Sequence, residues 1–465
     1  MASSPSDQAR TPEASPSGNR PQQTPDSSLQ DPHPVRSGGA SQPPALLEAG
    51  GIELEYAIVR ADTLAVVPRA ETLLGSGASE VEHPPLSWSN ELVMHVIELK
   101  NPLPVTDLTE LEPSFRAQVG QVNNTLLQLP QACCLLPTGA HPWMDPAKET
   151  RMWPHEQTEI YQAYDRIFST RGHGWANLQS CHLNLSFRSD EDFFRLHTAI
   201  RLLLPLLPGL WASTPYLGGT YAAAMDARLE TYAGNQHRIP EIAGDIIPEQ
   251  VSTIEEYHQL VLQPMYRAIA PQDPEGLLQE EWLNSRGAIP KFSRNSMEIR
   301  ILDLQGHPTR DLLFSLVTIA LIRRLAFADS KELRDLSKTP QEILVSQYRR
   351  CVSQASAAPL SLPYIPRIFA DLLPRGGQAP RVRDFWTAAL HWFASDHALP
   401  PALEADLQDC LTEYPHRGSL AETLYQELGP APSRSQLFQS YRRLAAGLPG
   451  AESLPPAPGK HPAEQ

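Results

Sequence analysis

Short runs in which apolar and polar residues alternate recur along this chain. In Gly51-Ile-Glu-Leu-Glu-Tyr-Ala-Ile-Val59 the alternation puts Glu53 and Glu55 on one face of a strand and Ile52, Leu54, Tyr56 and Ile58 on the other. On a helix the two acids would point nearly opposite ways. Asn177 to Phe187 repeats the design, with Cys181, Leu183, Leu185 and Phe187 against Ser180, His182, Asn184 and Ser186. A third instance lies in Lys291 to Asp303, where Glu298 and Arg300 share a face opposite Met297, Ile299 and Ile301. The apolar, β-branched centre of Asn90 to Pro102 predicts a strand from about Val93 to Leu99, stopped by Pro102 and Pro104. Glu98 then lies inside that strand, and Glu91 at its entry reaches the same place only if the chain bends. Cys133 to Leu136 reads as a short buried strand, and Leu64 to Val67 as a strand returning from a turn at Ala61 to Leu64.

Helical spacing of Leu111, Phe115, Val119, Val122 and Leu126 predicts a helix within Leu108 to Leu129, with Pro113 in its first turn. Further helices are expected at His155–Phe168, Asp192–Leu207, Tyr221–Tyr232 and Asp311–Phe327. Amphipathic pieces follow around Gln341–Val352, Phe385–Phe393, Leu403–Leu411 and Ser433–Ala446. Residues 1–45 are rich in Ser, Pro, Gln and Gly and poor in large apolar side chains, so they are expected to be a disordered extension, as is the Pro-rich tail 448–465. What lies between divides into a strand-rich part, 46–328, and a helical C-terminal region, 329–447.

Charge narrows the function classes. The chain has 465 residues, with 38 Lys plus Arg against 53 Asp plus Glu and a formal charge of −15, which excludes a general nucleic-acid-binding surface. Five cysteines, an odd count without CxxC spacing, argue against a disulfide framework or a zinc ribbon. No secretory signal is recognisable, and the apolar run Leu312–Ile322 is too short to span a bilayer. A soluble protein with reduced thiols, in the cytoplasm and acting on small molecules, is the expectation; the sequence does not fix its oligomeric state.

The polar strand faces carry the candidate chemistry: Glu53, Glu55, Glu91, Glu98, His182 and Glu298. Hard cations such as Mg²⁺ take oxygen ligands and bridge protein carboxylates to phosphates. Transfer from a nucleoside triphosphate needs such concentrated positive charge. Arg228, Arg286, Lys291 and Arg300 would complete a clamp on phosphate or an anionic substrate. Against this stands the plainer reading of solvated acids and a simple Glu298–Arg300 salt bridge. No GxxxxGK[ST] loop or GxGxxG turn is present, so a bound ATP would be held by carboxylate-bound metals on a sheet.

These stretches resemble the glutamate-cysteine ligase family, particularly its bacterial carboxylate-amine ligase branch. The match rests on Gly51-Ile-Glu-Leu-Glu, Glu91 to Pro102, Thr138-Gly-Ala-His-Pro142, Ser180-Cys-His-Leu-Asn184, Ser213 to Thr220 with Arg228, Trp282 with Arg286, and Met297 to Asp303. The resemblance implies an α+β fold related to glutamine synthetase: a curved, mainly antiparallel sheet forming a funnel or half barrel, with helices outside. It also implies ATP- and Mg²⁺-dependent amide formation through an acyl phosphate. Glu53, Glu55, Glu91, Glu98, His182 and Glu298 would hold Mg²⁺. Arg300 would stabilise the transferring phosphoryl group, and Arg228, Arg286 and Lys291 would contact phosphate or substrate. A ligase-derived binding or regulatory protein without turnover and a metal-dependent amide hydrolase remain as alternatives.

Overall fold

The computed structural model describes residues 42–373 and 379–456. Most of the expected N-terminal extension (1–41) and the end of the expected tail (457–465) lie outside the described residues. Among the described residues ten strands carry the architecture: β1 (Gly50–Arg60), β2 (Glu80–His83), β3 (Leu86–Asn90), β4 (Val96–Lys100), β5 (Cys133–Leu136), β6 (Ser180–Ser186), β7 (Tyr216–Leu217), β8 (Thr220–Tyr221), β9 (Ala288–Lys291) and β10 (Ser296–Asp303). β7 and β8 form a separate ribbon. The other eight make one sheet in the order β2-β3-β4-β1-β6-β10-β9, with β5 paired to the second half of β1. Its pairings are all antiparallel, and it ends at β2 and β9 without closing into a barrel. The fold is α+β, as expected.

β1 is central because one face is fully apolar. Ile52, Leu54, Tyr56 and Ile58 are each 0% exposed and belong to the main core, and burial of a side chain of this size contributes roughly 1.5–3 kcal/mol. Helices Glu112–Leu127, Asp190–Leu203 and Pro308–Ala326 contribute apolar residues to the same core. The 22-residue helical run Asp190–Trp211 is apolar enough to cross a membrane by composition, but it is buried inside the fold as a core element.

Several local expectations are corrected. The strand expected from Val93 begins at Val96, and the chain bends between Glu91 and His95; the preceding hairpin of β2 and β3 carried no foreseen signal. Helix formation in Tyr221–Tyr232 is confined to Ala227–Tyr232, because Tyr221 pairs with Tyr216 in the ribbon. Lys291–Asp303 is not continuous: a turn at Phe292–Arg294 separates β9 from β10. The helices Ser330–Ser337 and Leu420–Leu428 were not anticipated.

The C-terminal helices are joined to the core by side chains that donate to its carbonyls. The Tyr364 hydroxyl donates to Leu202 O at 2.5 Å, Trp386 Nε1 to Leu206 O at 2.9 Å, and the Tyr414 hydroxyl to Gly209 O at 2.8 Å. Within the described part of the expected tail, Leu448 and Ala451 are buried, and Asn123 Nδ2 donates to Pro449 O at 2.9 Å.

Candidate metal and phosphate site

Strand register assembles the polar face in rows. One row runs Glu80, Ser89, Glu98, Glu55, in order across β2, β3, β4 and β1; the adjacent row runs Glu82, Ser87, Lys100, Glu53, His182 and continues onto β6. Directly opposed carboxylates such as Glu55 and Glu98 repel. Their cost is offset by donors aimed at them. Glu53 accepts from His182 Nδ1 at 3.0 Å and Asn184 Nδ2 at 3.1 Å. Glu55 accepts from the Ser180 backbone N–H at 2.7 Å and hydroxyl at 3.0 Å. Glu98 Oε2 accepts from the Ser89 hydroxyl at 2.6 Å and Lys100 Nζ at 2.5 Å.

β10 adds its residues through a bulge. Ile299 faces Leu183 and Leu302 faces Cys181, so three steps on β10 match two on β6. Glu298 and Asp303, an odd number apart, would fall on opposite faces of a regular strand. The extra residue brings both to the polar side, opposite Asn184 and Ser180. Glu298 is bound by Lys291 Nζ and by Arg300, whose Nη2 lies 2.5 Å away. The buried Asp303 accepts from the Ser213 N–H at 2.8 Å, the Ser213 hydroxyl at 3.1 Å, the Thr214 hydroxyl at 3.0 Å and Arg228 Nε. Gly139 is required here, because a Cβ at that position would lie 2.5 Å from the Asp303 carboxyl carbon.

Two groups of potential ligand atoms result, each set within 4.8 Å of one another: Glu53, Glu98 and His182, and Glu55, Glu91 and Glu98. Glu98 belongs to both. Burial alone would raise the Glu53 carboxyl, but the charges of Lys291, His182 and Lys100 and the His182 hydrogen bond hold it well below the usual carboxylate range. Burial and the charge of Glu98 push Glu55 up against the pull of His182, and burial with the charges of Glu55 and Glu98 pushes Glu91 well up. His182 is raised to about 9, the charges of Glu55, Glu298 and Glu53 outweighing burial. Glu298 is lowered to about 2, because Lys291, Arg300 and His182 outweigh its burial.

The six foreseen acid and imidazole positions thus gather on one face, with Lys291 and Arg300 beside Glu298. Arg228 adjoins through Asp303, and its Nη2 has no acceptor among the described residues. Arg286 is not brought to the triads. Its guanidinium pairs in a two-pronged contact with Glu249 at 2.5 Å and donates to the Ile242 and Glu241 carbonyls. Lys100 and Asp303 were missed. Lys100 had the simplest signal, the two-residue spacing that puts it on the face of Glu98.

Two solved ligases share this fold. A bifunctional glutathione synthetase from Pasteurella multocida superposes with a TM-score of 0.52 at 14% identity, covering 86% of this chain and 53% of that one. Glutamate–cysteine ligase from Francisella tularensis, solved in complex with AMP, gives 0.51 at 12% identity, covering 89% and 91%. These likenesses concern the fold. The model of glutamate-cysteine ligase family 2 (GCS2) matches residues 50–350, and the chain belongs to that family. An uncharacterized protein of Archaeoglobus fulgidus is 35% identical over 257 residues, 55% of this chain and 66% of its own length. A protein of Rubrobacter xylanophilus provisionally named glutamate–cysteine ligase 2-3 is 24% identical over 200 residues, 42% of this chain and 50% of its own length. The matched region therefore spans less than two thirds of either relative.

Proposed function

We propose that the protein is an ATP- and Mg²⁺-dependent carboxylate–amine ligase that forms an amide, of γ-glutamyl type if its acid is glutamate. The observation that carries this reading is the pair of ligand groups sharing Glu98, backed by Lys291, Arg300 and Arg228. The donors fit the ion: carboxylate oxygens with one imidazole suit a hard cation, and burial with the neighbouring carboxylates raises Glu55 and Glu91 despite the opposing charge of His182.

Glu53, Glu98 and His182 would hold one cation, Glu55, Glu91 and Glu98 another, and Glu298 would serve the same face. Bound Mg²⁺ would neutralise phosphate charge and align the triphosphate. In the overall reaction a substrate carboxylate oxygen bonds the γ-phosphorus as ADP leaves; the amine nitrogen then bonds the acyl carbon as phosphate leaves. Arg300 and Lys291, both cationic and fixed by Glu298, would stabilise charge on the transferring group. Arg228, held by Asp303, offers its remaining Nη2 donor to an anion. Ser180, Ser89 and Asn184 orient the carboxylates.

A mass-spectrometric screen for ATP-dependent condensation products across mixed amino acids and amines tests the reading. The expected result is one amide product with matching ADP and phosphate, lost in Glu53→Gln and Glu298→Gln. If no pool yields ADP or phosphate at millimolar Mg²⁺, the catalytic reading falls.

A further inference from the structure

Lys100 stands in a place that the chemistry above leaves unused. It lies in the row between Ser87 and Glu53, two residues from Glu98 on the same strand face, and its side chain is 8% exposed. Its ammonium is 2.5 Å from Glu98 Oε2, which also accepts from the Ser89 hydroxyl. The acid common to both ligand groups is therefore engaged by a cation that the chain itself supplies.

We propose that Lys100 is a tethered counter-ion that competes with divalent metal for Glu98 and so sets how tightly the site takes up metal. The inference rests on the reading of these acids as a metal site. A carboxylate oxygen in contact with an ammonium cannot also coordinate an ion at full strength, and two cations sharing one acid repel. Coordination through Oε2 therefore requires the Lys100 ammonium to move off Glu98, and coordination through Oε1 still meets its repulsion. While the site is empty of metal, the same ammonium lowers the repulsion among Glu53, Glu55 and Glu98 and keeps the buried acids compatible with a folded sheet. Lys100 is thus a positioning residue, acting through Glu98. Its side chain is long enough to swing within the row, where Glu82 and Ser87 of the edge hairpin face it.

The test is Mn²⁺ binding to the full chain without nucleotide, followed by electron paramagnetic resonance. Lys100→Met, similar in length but uncharged, is expected to bind Mn²⁺ at least about tenfold more tightly than the native protein, the usual scale for removing a neighbouring like charge. Lys100→Arg is expected to stay near the native affinity. Equal or weaker binding by Lys100→Met overturns the inference while leaving the metal site standing. Absence of Mn²⁺ binding in both native protein and variant overturns the metal reading and this inference together. A second measurement needs no variant: acetylation of Lys100 in the native protein, read by peptide mass spectrometry, is expected to accelerate several-fold when Mn²⁺ is added. An unchanged or slower rate overturns the displacement.

Discussion

His182 concentrates the electrostatics of the site in one imidazole. Its Nδ1 donates to Glu53 at 3.0 Å and its Nε2 lies 3.7 Å from Glu55, and its folded-state value of about 9 lies above the ordinary 6.5. Its contribution to stability is accordingly complete below pH 6.5 and is lost as pH rises through about 9. Thermal melts of metal-free protein should show Tm falling across that window. Raised carboxyls such as Glu91 slope the same way, so the difference between native protein and His182→Gln isolates the imidazole: the variant should show the weaker dependence. Asp303 makes a second case at this scale. Replacing it with Asn keeps the shape but leaves the buried Arg228 without its counter-charge, and loss of one partner of a buried ion pair costs about 3–5 kcal/mol. Denaturant unfolding of Asp303→Asn should show a loss of that order, with Arg228→Met less damaging in combination than the sum of the two changes.

Among the elements, β1 serves two purposes with one alternation. Its acids face the site while Leu54, 0% exposed, fills the core beneath. Leu54→Ala should lower unfolding free energy by about 2–5 kcal/mol in urea titrations, the range for a large buried side chain cut back to a methyl. The same alternation explains what was legible. Glu53, Glu55, His182 and Glu298 each sit on strands whose period of two is unbroken around them, so their facing could be read directly. Asp303 could not, because the bulge after Ile299 reverses parity and only tertiary pairing shows it. Glu91 was read with the strand that follows. The chain bends between Glu91 and His95, the condition on which Glu91 was expected to reach the site, and Glu91 groups with Glu55 and Glu98. The β2–β3 hairpin escaped notice because Ser, Glu, His and two prolines dilute its apolar signal. Arg286 looked like a site cation because a sequence does not reveal that Glu249 meets it.

For the molecule as a whole, residues 329–447 read as a separable helical region, yet Tyr364, Trp386 and Tyr414 reach into the segment Leu202–Gly209 beneath the sheet. Removing everything after residue 328 would strip cover from buried Leu202, Leu206 and Trp211. A chain ending there should aggregate or elute as a large species in size-exclusion chromatography, and should lack the cooperative melt of the full chain.

The two ends of the strand order bear on assembly. β2 presents the exposed Glu80 and Glu82, and β9 contains Pro290, which has no backbone N–H to offer a neighbour. Each edge is also only four residues long. Both are therefore poor templates for a further strand, and edge-to-edge pairing of two copies at β2 or β9 is disfavoured.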